Sequence, residues 1–339
     1  MKALLFVAGI QLGCLASSEA LVISLNSASG MDSSALAGFR SAADYWQSKF
    51  FDNVTVNIDV GFTALAANVL GSTGSSNEVF AVADVYGALA GDATSATDTL
   101  AVGHLPTLSE LGGLSFLTQK NTEGGSKTIS LDNDNSGNNL YLALNTANAK
   151  ALGWVAPSPS FVDASINFSS SFSWDFDQSN GVGAGLQDFV GVAIHEIGHA
   201  LGFVSGVDDV DYYITHPLNL DPYAIYSALD LYRYSANGTL NLAVGAASYF
   251  SLDGGATNLG AFSTGSTASG GDGQQASHWK DNLGLGIMDP TANPAGQVNT
   301  PSALDIVAFD AIGWDLVPEP STTLLGSVGV MLVMMRRRR

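Results

Sequence analysis

Apolar positions follow two rhythms along this chain. Between residues 32 and 50, Leu36, Phe39, Ala43 and Trp46 recur three and four apart, the spacing of one helix face, with Asp32 or Ser33 as its cap. Between residues 54 and 62, Val54, Val56, Ile58 and Val60 alternate with polar neighbours, the period of a half-buried strand. Residues 22–25 read as a short strand, so the chain predicts a strand, a helix and a second strand near its start. Further strands are predicted over 129–144 and 164–177, broken by Asn, Gly and Ser turns. Helical spacing returns at Leu186, Phe189, Val190, Ala193, Ile197, Ala200 and Leu201. Residues 236–277 are rich in Gly, Ser, Thr and Ala and predict hairpins and loops. A last helix opens at Thr300 and Pro301, carries Leu304, Val307, Ala308, Ala311 and Ile312, and closes at Gly313. The fold class these elements predict is α/β (α+β), with no internal repeat and no long linker.

Both ends read as addresses. Met1 and Lys2 precede an apolar run from Ala3 to Cys14, and small residues stand at Ser18 and Ala20, the three parts of a secretory signal peptide over residues 1–20. Cleavage after Ala20 removes Cys14, the one cysteine, so neither a disulfide nor a thiolate ligand is expected in the mature chain. The other end runs Val317, Pro318, Glu319, Pro320, then an almost wholly apolar stretch from Thr322 to Met335, then Arg336 to Arg339. Fourteen residues at helical rise reach roughly 21 Å, short of the ~30 Å hydrocarbon core, so a permanent anchor is not expected. The arginines would stay on the cytoplasmic side. Residues 317–339 resemble the PEP-CTERM sorting signal of Gram-negative bacteria, with a motif, a short transmembrane stretch and an Arg run in order. The resemblance implies transient anchoring in the inner membrane, an exosortase-type partner that removes the tail, and delivery to the cell surface or extracellular matrix.

Charge narrows the function classes. Of 339 residues, 31 are acidic and 12 basic, and five of the basic ones belong to the two ends. Residues 21–316 hold 7 basic against 29 acidic side chains. Nucleic-acid binding needs clustered Lys and Arg to displace counterions, so a nucleic-acid partner is excluded. Asp132, Asp134, Ser136 and Gly137 look like the first half of a Ca²⁺ loop, but Ala143 stands where the bidentate glutamate is needed. A polar turn is the expectation there, and Ca²⁺ has no complete motif.

The candidate chemistry lies in the predicted helix around residues 186–203. His195 and His199 are four apart, on the same side and one turn from each other, so both imidazoles can hold one ion. Zinc suits imidazole nitrogens and needs only three protein ligands when a fourth position is kept for water. Glu196, next to the first ligand, can take a proton from that water and pass it to a leaving amine. A third ligand is required. The position three after Gly202 is Ser205, a poor zinc ligand, so it must come from elsewhere. The remaining histidines are His104, with no local motif and expected to be solvated or core, His216, seventeen residues past His199, and His278. Met288, ten residues past His278, stands before Asp289 and Pro290.

HExxHxxGF from His195 to Phe203, a distant histidine, Met288-Asp289-Pro290 and a closing helix from Ala303 to Trp314 together resemble the leishmanolysin-like branch of the metzincins. The resemblance spans about 120 residues and implies Zn²⁺ on His195, His199 and His278, Glu196 as general base and acid, and Met288 beneath the site. It implies a two-lobed catalytic domain over 21–316. The upper lobe, about 21–203, would hold a twisted sheet and the active-site helix. The lower, about 204–316, would be rich in loops and hairpins and end in a helix. A peptide or protein substrate would add as a strand to the upper sheet edge, expected at 165–174. The function expected is a secreted zinc-dependent endopeptidase. A non-catalytic surface or matrix protein on the same scaffold is the alternative, and an acidic Ca²⁺-stabilised adhesin with an incidental motif is a third reading. The chain departs from the family's eukaryotic members, which are cysteine-rich and held latent by a propeptide thiol.

Overall fold

The computed structural model describes residues 20–119 and 126–318. The predicted signal segment up to residue 19 and the sorting tail from residue 319 lie outside the described residues. Among the described residues no helix is long and apolar enough to cross a membrane.

The chain folds into a mixed α/β structure with eight α-helices and several sheets among the described residues. Strand β1 (Val22–Ser27), helix α1 (Ser33–Gln47) and strand β2 (Thr55–Thr63) form the predicted strand-helix-strand start, with β1 and β2 parallel and Ile23 opposite Val56. Asp32 caps α1, its carboxylate accepting from the Ser34 and Ala35 amides. Next come β3 (Gly71–Ser75), β4 (Asn77–Ala81), α2 (Val82–Asp92), α3 (Ala96–Gly103) and β5 (Phe116–Thr118). The stretch predicted as strand over 129–144 is more broken than its pattern suggested. It holds β6 (Ser130–Asp132), the short helix α4 (Gly137–Leu140) and the start of β7 (Tyr141–Asn145), because Ser136 and Asn139 close a capping box at the polar turn. Helix α5 (Thr146–Ala151), β8 (Ala164–Ser169), β9 (Trp174–Asp175) and β10 (Gln187–Asp188) lead into helix α6 (Phe189–Ala200).

The main sheet has the order β1-β2-β8-β3, with β8 parallel to β2 and β3 antiparallel to β8. The edge strands of this sheet are therefore β1 and β3, not the predicted segment 165–174. Hydrophobic alternation marks β8 as a strand but cannot say which strands flank it, and Gly- and Ser-rich β3 carries almost no apolar signal.

Helix α6 packs against α1 and β3. Gly38 makes this approach close: a Cβ there would lie 2.4 Å from the Phe189 ring. Phe39, Phe168, Trp174 and Phe189 form one aromatic cluster around that contact, all buried. Trp46, Phe50, Phe309 and Trp314 form a second, which docks the last helix, α8 (Ala303–Ala311), onto α1.

After α6 the chain turns through α7 (Val207–Thr215) and becomes loop-rich. Its sheet is small and antiparallel, in the order β12 (Thr239–Leu240), β11 (Arg233–Ala236), β13 (Tyr249–Phe250), β14 (Gly260–Ala261), as the Gly, Ser and Thr content predicts. Pro301 sits one residue before the cap of α8 rather than inside it. Ser302 is the cap and forms a capping box with Asp305.

Candidate metal centre

Helix α6 forms where the sequence predicts it, between two fixed ends. At its start the Asp188 carboxylate accepts from the Gly191 amide at 3.0 Å and from Asn299 N at 2.8 Å, so the loop before α8 is tied to this helix. At its end the carbonyls of His199 and Leu201 accept from Asn145 Nδ2 at 2.7 Å and Trp314 Nε1 at 2.9 Å, satisfying groups that a helix leaves open. Gly202 then takes φ +118°, where a Cβ would also meet Asn148 at 2.9 Å.

His195 and His199 project together, and the third imidazole that meets them is His278. Their Nε2 atoms stand 3.0 Å apart for His195 and His199, 3.1 Å for His199 and His278, and 3.3 Å for His278 and His195. The three form the group among the described residues that could hold a metal ion. His104 and His216 are elsewhere. The His104 ring meets the Leu100 carbonyl at the end of α3, and the His216 ring is exposed and stacked on Tyr212.

Each imidazole has a backbone carbonyl beside its other nitrogen. Nδ1 of His195 lies 2.7 Å from the Ile287 oxygen, Nδ1 of His199 lies 2.7 Å from the Phe203 oxygen, and Nδ1 of His278 lies 3.2 Å from the Gln275 oxygen. A carbonyl can only accept, so these contacts place a proton on each Nδ1 and leave the Nε2 lone pairs facing one another. Burial pushes the His199 imidazole well below its ordinary range, with His195 and His278 adding to the effect. Burial lowers that of His278 to about 3, with His195 again adding. Lone pairs on three converging Nε2 atoms repel one another unless a cation lies among them. Ligands about 2.0–2.1 Å from one tetrahedral zinc stand about 3.4 Å from each other, close to the spacing present here. The donor set fits zinc, and it fits other imidazole-binding divalent ions too.

Glu196 is 7 % exposed and turns toward β3. Thr73 Oγ1 donates to its Oε2 at 2.6 Å and also lies 3.0 Å from its carbonyl oxygen. Burial raises the Glu196 carboxyl, while His195 and the Thr73 hydroxyl pull it down. Gly71 permits the contact, since a Cβ there would lie 2.9 Å from Oε1. Met288 is fully buried with its sulfur against Gly198, on the helix turn between His195 and His199. The turn that carries it hangs on Asp305. Both oxygens of this buried carboxylate are used, by Trp279 Nε1 at 2.8 Å, Ile287 N at 2.8 Å, Met288 N at 3.3 Å and Ser302 N at 2.7 Å.

The histidines and Glu196 open onto a cleft of about 1480 Å³. One side is β3, and other parts of the wall come from α7 and from the loops around residues 218–227 and 284–302. Among the described residues, Glu196, Asp208, Asp209 and Asp289 line it and no Lys or Arg does, so their charge disfavours anionic ligands.

Sequence reasoning missed Thr73, Asp305 and Asp208. Thr73 gives no signal, because its role depends on β3 crossing α6. The spacing of Ser302 and Asp305 announces a helix cap, yet not the tether to Met288. At the half Ca²⁺ motif, Asp134 Oδ1 accepts from Ser136 N and Asp132 Oδ2 accepts from Asn138 Nδ2, which makes it a capped polar turn. No protein-family model, curated protein or solved structure matches the chain.

Proposed function

We propose that the chain is a zinc-dependent endopeptidase, built as a metzincin of the leishmanolysin-like kind with a two-lobed catalytic domain. The observation that carries this reading is the set of three Nε2 atoms 3.0–3.3 Å apart, each ring held through Nδ1, with Glu196 beside them in an open cleft. His195, His199 and His278 would hold the ion. When bound, zinc lowers the pKa of a water and polarises the scissile carbonyl. Glu196 takes the proton of the attacking water and delivers it to the leaving nitrogen, and Thr73 holds its carboxylate in place. Strand β3 offers an edge on which an extended peptide can add by backbone hydrogen bonds. The placement of Glu196, with a hydroxyl to orient it, supports catalysis over the non-catalytic alternative, which has no need of a carboxylate there. The expected route is export, then retention at the surface or in the matrix.

The test is direct. Purified mature protein should bind about one zinc and cleave an unfolded protein such as casein. Glu196→Gln should keep the metal and lower kcat/KM by about 10³-fold, since it removes the proton acceptor but no ligand. A variant of undiminished activity would remove Glu196 from the mechanism, and zinc binding without cleavage by the unaltered protein would favour the non-catalytic reading.

A further inference from the structure

His278 differs from the other two imidazoles in what holds it, since it lies in a stretch with neither helix nor strand, between residues 270 and 302. Its backbone neighbours are fixed from outside. Asp208, in the first turn of α7, accepts from Ala276 N at 2.6 Å through Oδ1, and from Ser277 N at 3.1 Å and the Ser277 hydroxyl through Oδ2. Ser205 N, six residues past His199, donates to Ser277 Oγ at 2.8 Å. The segment that leaves the helical ligands is thereby joined to the one that brings the third. Behind it lies Arg233, 1 % exposed, its ring-facing guanidinium over Phe262. It donates to the carbonyls of Ala276 at 3.1 Å and Ser263 at 2.5 Å, and Ser263 N in turn donates to the His278 carbonyl at 3.0 Å. Asp230, which faces the same guanidinium, holds the turn after α6 by accepting from Ser205 Oγ at 2.5 Å and Gly206 N at 2.8 Å. A buried charge costs free energy unless paired and hydrogen-bonded. Here two carbonyls hold the guanidinium while Asp230 and Asp208 attract it, and the bonds of these groups converge on the chain either side of the metal ligands.

We propose that Asp208, backed by Arg233, is the positioning residue for the third metal ligand, setting His278 against His195 and His199. It rests on the metal-site reading above. Asparagine at 208 keeps the shape but presents an amide donor where every neighbour is a donor, so at least one of the three bonds must break. Partners of this kind are worth about 10- to 100-fold in metal affinity.

The experiment is chelator-competition titration of zinc on the full mature chain, with thermal unfolding of the metal-free forms to check folding. Asp208→Asn should weaken zinc about 10- to 100-fold, and His278→Ala at least as much. The Asp208→Asn/His278→Ala double variant should bind no more weakly than His278→Ala alone, because a residue that acts only through His278 has nothing left to position. A product of the two single effects in the double variant would mean general structural damage and would overturn the proposal, as would wild-type affinity in Asp208→Asn. Should Asp208→Asn fail to fold, Ser277→Ala, which removes the hydroxyl's bonds to Asp208 and from Ser205 N and keeps the backbone bonds to Asp208, should weaken zinc several-fold, and no change would equally overturn the assignment. The premise has its own readout: wild type and His278→Ala binding zinc equally, or not at all, would sink the metal-site reading instead.

Discussion

Two of the three imidazoles stand on a helix that local sequence specifies, and the third stands on a loop fixed from outside by long-range bonds. The stretch through α6 is built from apolar burial, with Phe39, Phe168 and Phe189 interlocked beneath the sheet. The stretch after it is built from carboxylates that accept backbone amides, with Asp208 gripping residues 276–277 and Asp305 gripping residues 287–288. This stretch also buries an aromatic cluster of Phe203, Phe250, Phe262 and Trp279, and hydrogen bonds to carboxylates fix the loops that run between such anchors. Part of the acidic excess is therefore internal framework rather than a solvated face.

This contrast can be broken at its strongest points first. Phe189→Ala should destabilise the fold by about 4 kcal/mol in denaturant unfolding, as a cavity opens at the α1–α6 contact. Asp305→Ala should cost about 3 kcal/mol, since it strands buried donors and loses the cap, against about 1 kcal/mol for Ser302→Ala, which loses the cap alone. Equal costs for the two α8 variants would mean that the Asp305 tether to the methionine turn adds nothing.

A smaller effect probes the link between sheet edge and helix. Thr73→Val should lower kcat about tenfold with KM and zinc content little changed, and Thr73→Ser should restore it. A fall in zinc content would instead make Thr73 a structural residue. The smallest effect is one of pH, at the seam where α8 meets the earlier elements. Burial raises the carboxyls of Asp52 and Asp92 to about 7 and that of Asp310 to about 6, with neighbouring carboxylates adding to each. The folded chain keeps these protons to higher pH than the unfolded chain, so their contribution is full below about pH 4 and is lost as pH rises through 6 to 7. Asp92→Asn removes one such charge. Its unfolding midpoint should match wild type near pH 4 and exceed it by about 2 °C at pH 8. A gain at pH 4 of the same size would take the charge out of the explanation.

Much of the first region was legible. Alternation at Val54, Val56, Ile58 and Val60 marks β2, and three-four spacing marks α1 and α6, because burial of one face writes its period into the local sequence. The edge strand was not legible. Gly71 to Ser75 hold their place through Glu196 and β8, and small residues serve there because they let the strand come close. Residues 165–174 were the expected edge, yet the strand at their start, β8, lies inside the sheet, since pairing partners are a matter of topology.

What the sequence alone determined is a helix presenting His195, Glu196 and His199 on one side, because helical rise and 3.6 residues per turn leave no other arrangement. It also left His216 and His278 both open as third ligand by residue type and spacing alone. Only the tertiary structure decided between them, bringing His278 across 78 intervening residues to within 3.3 Å of the other two. The physical reason is that a loop's position is set by its buried partners, here Asp208, Arg233 and Asp305, and those contacts leave no periodic trace in the chain.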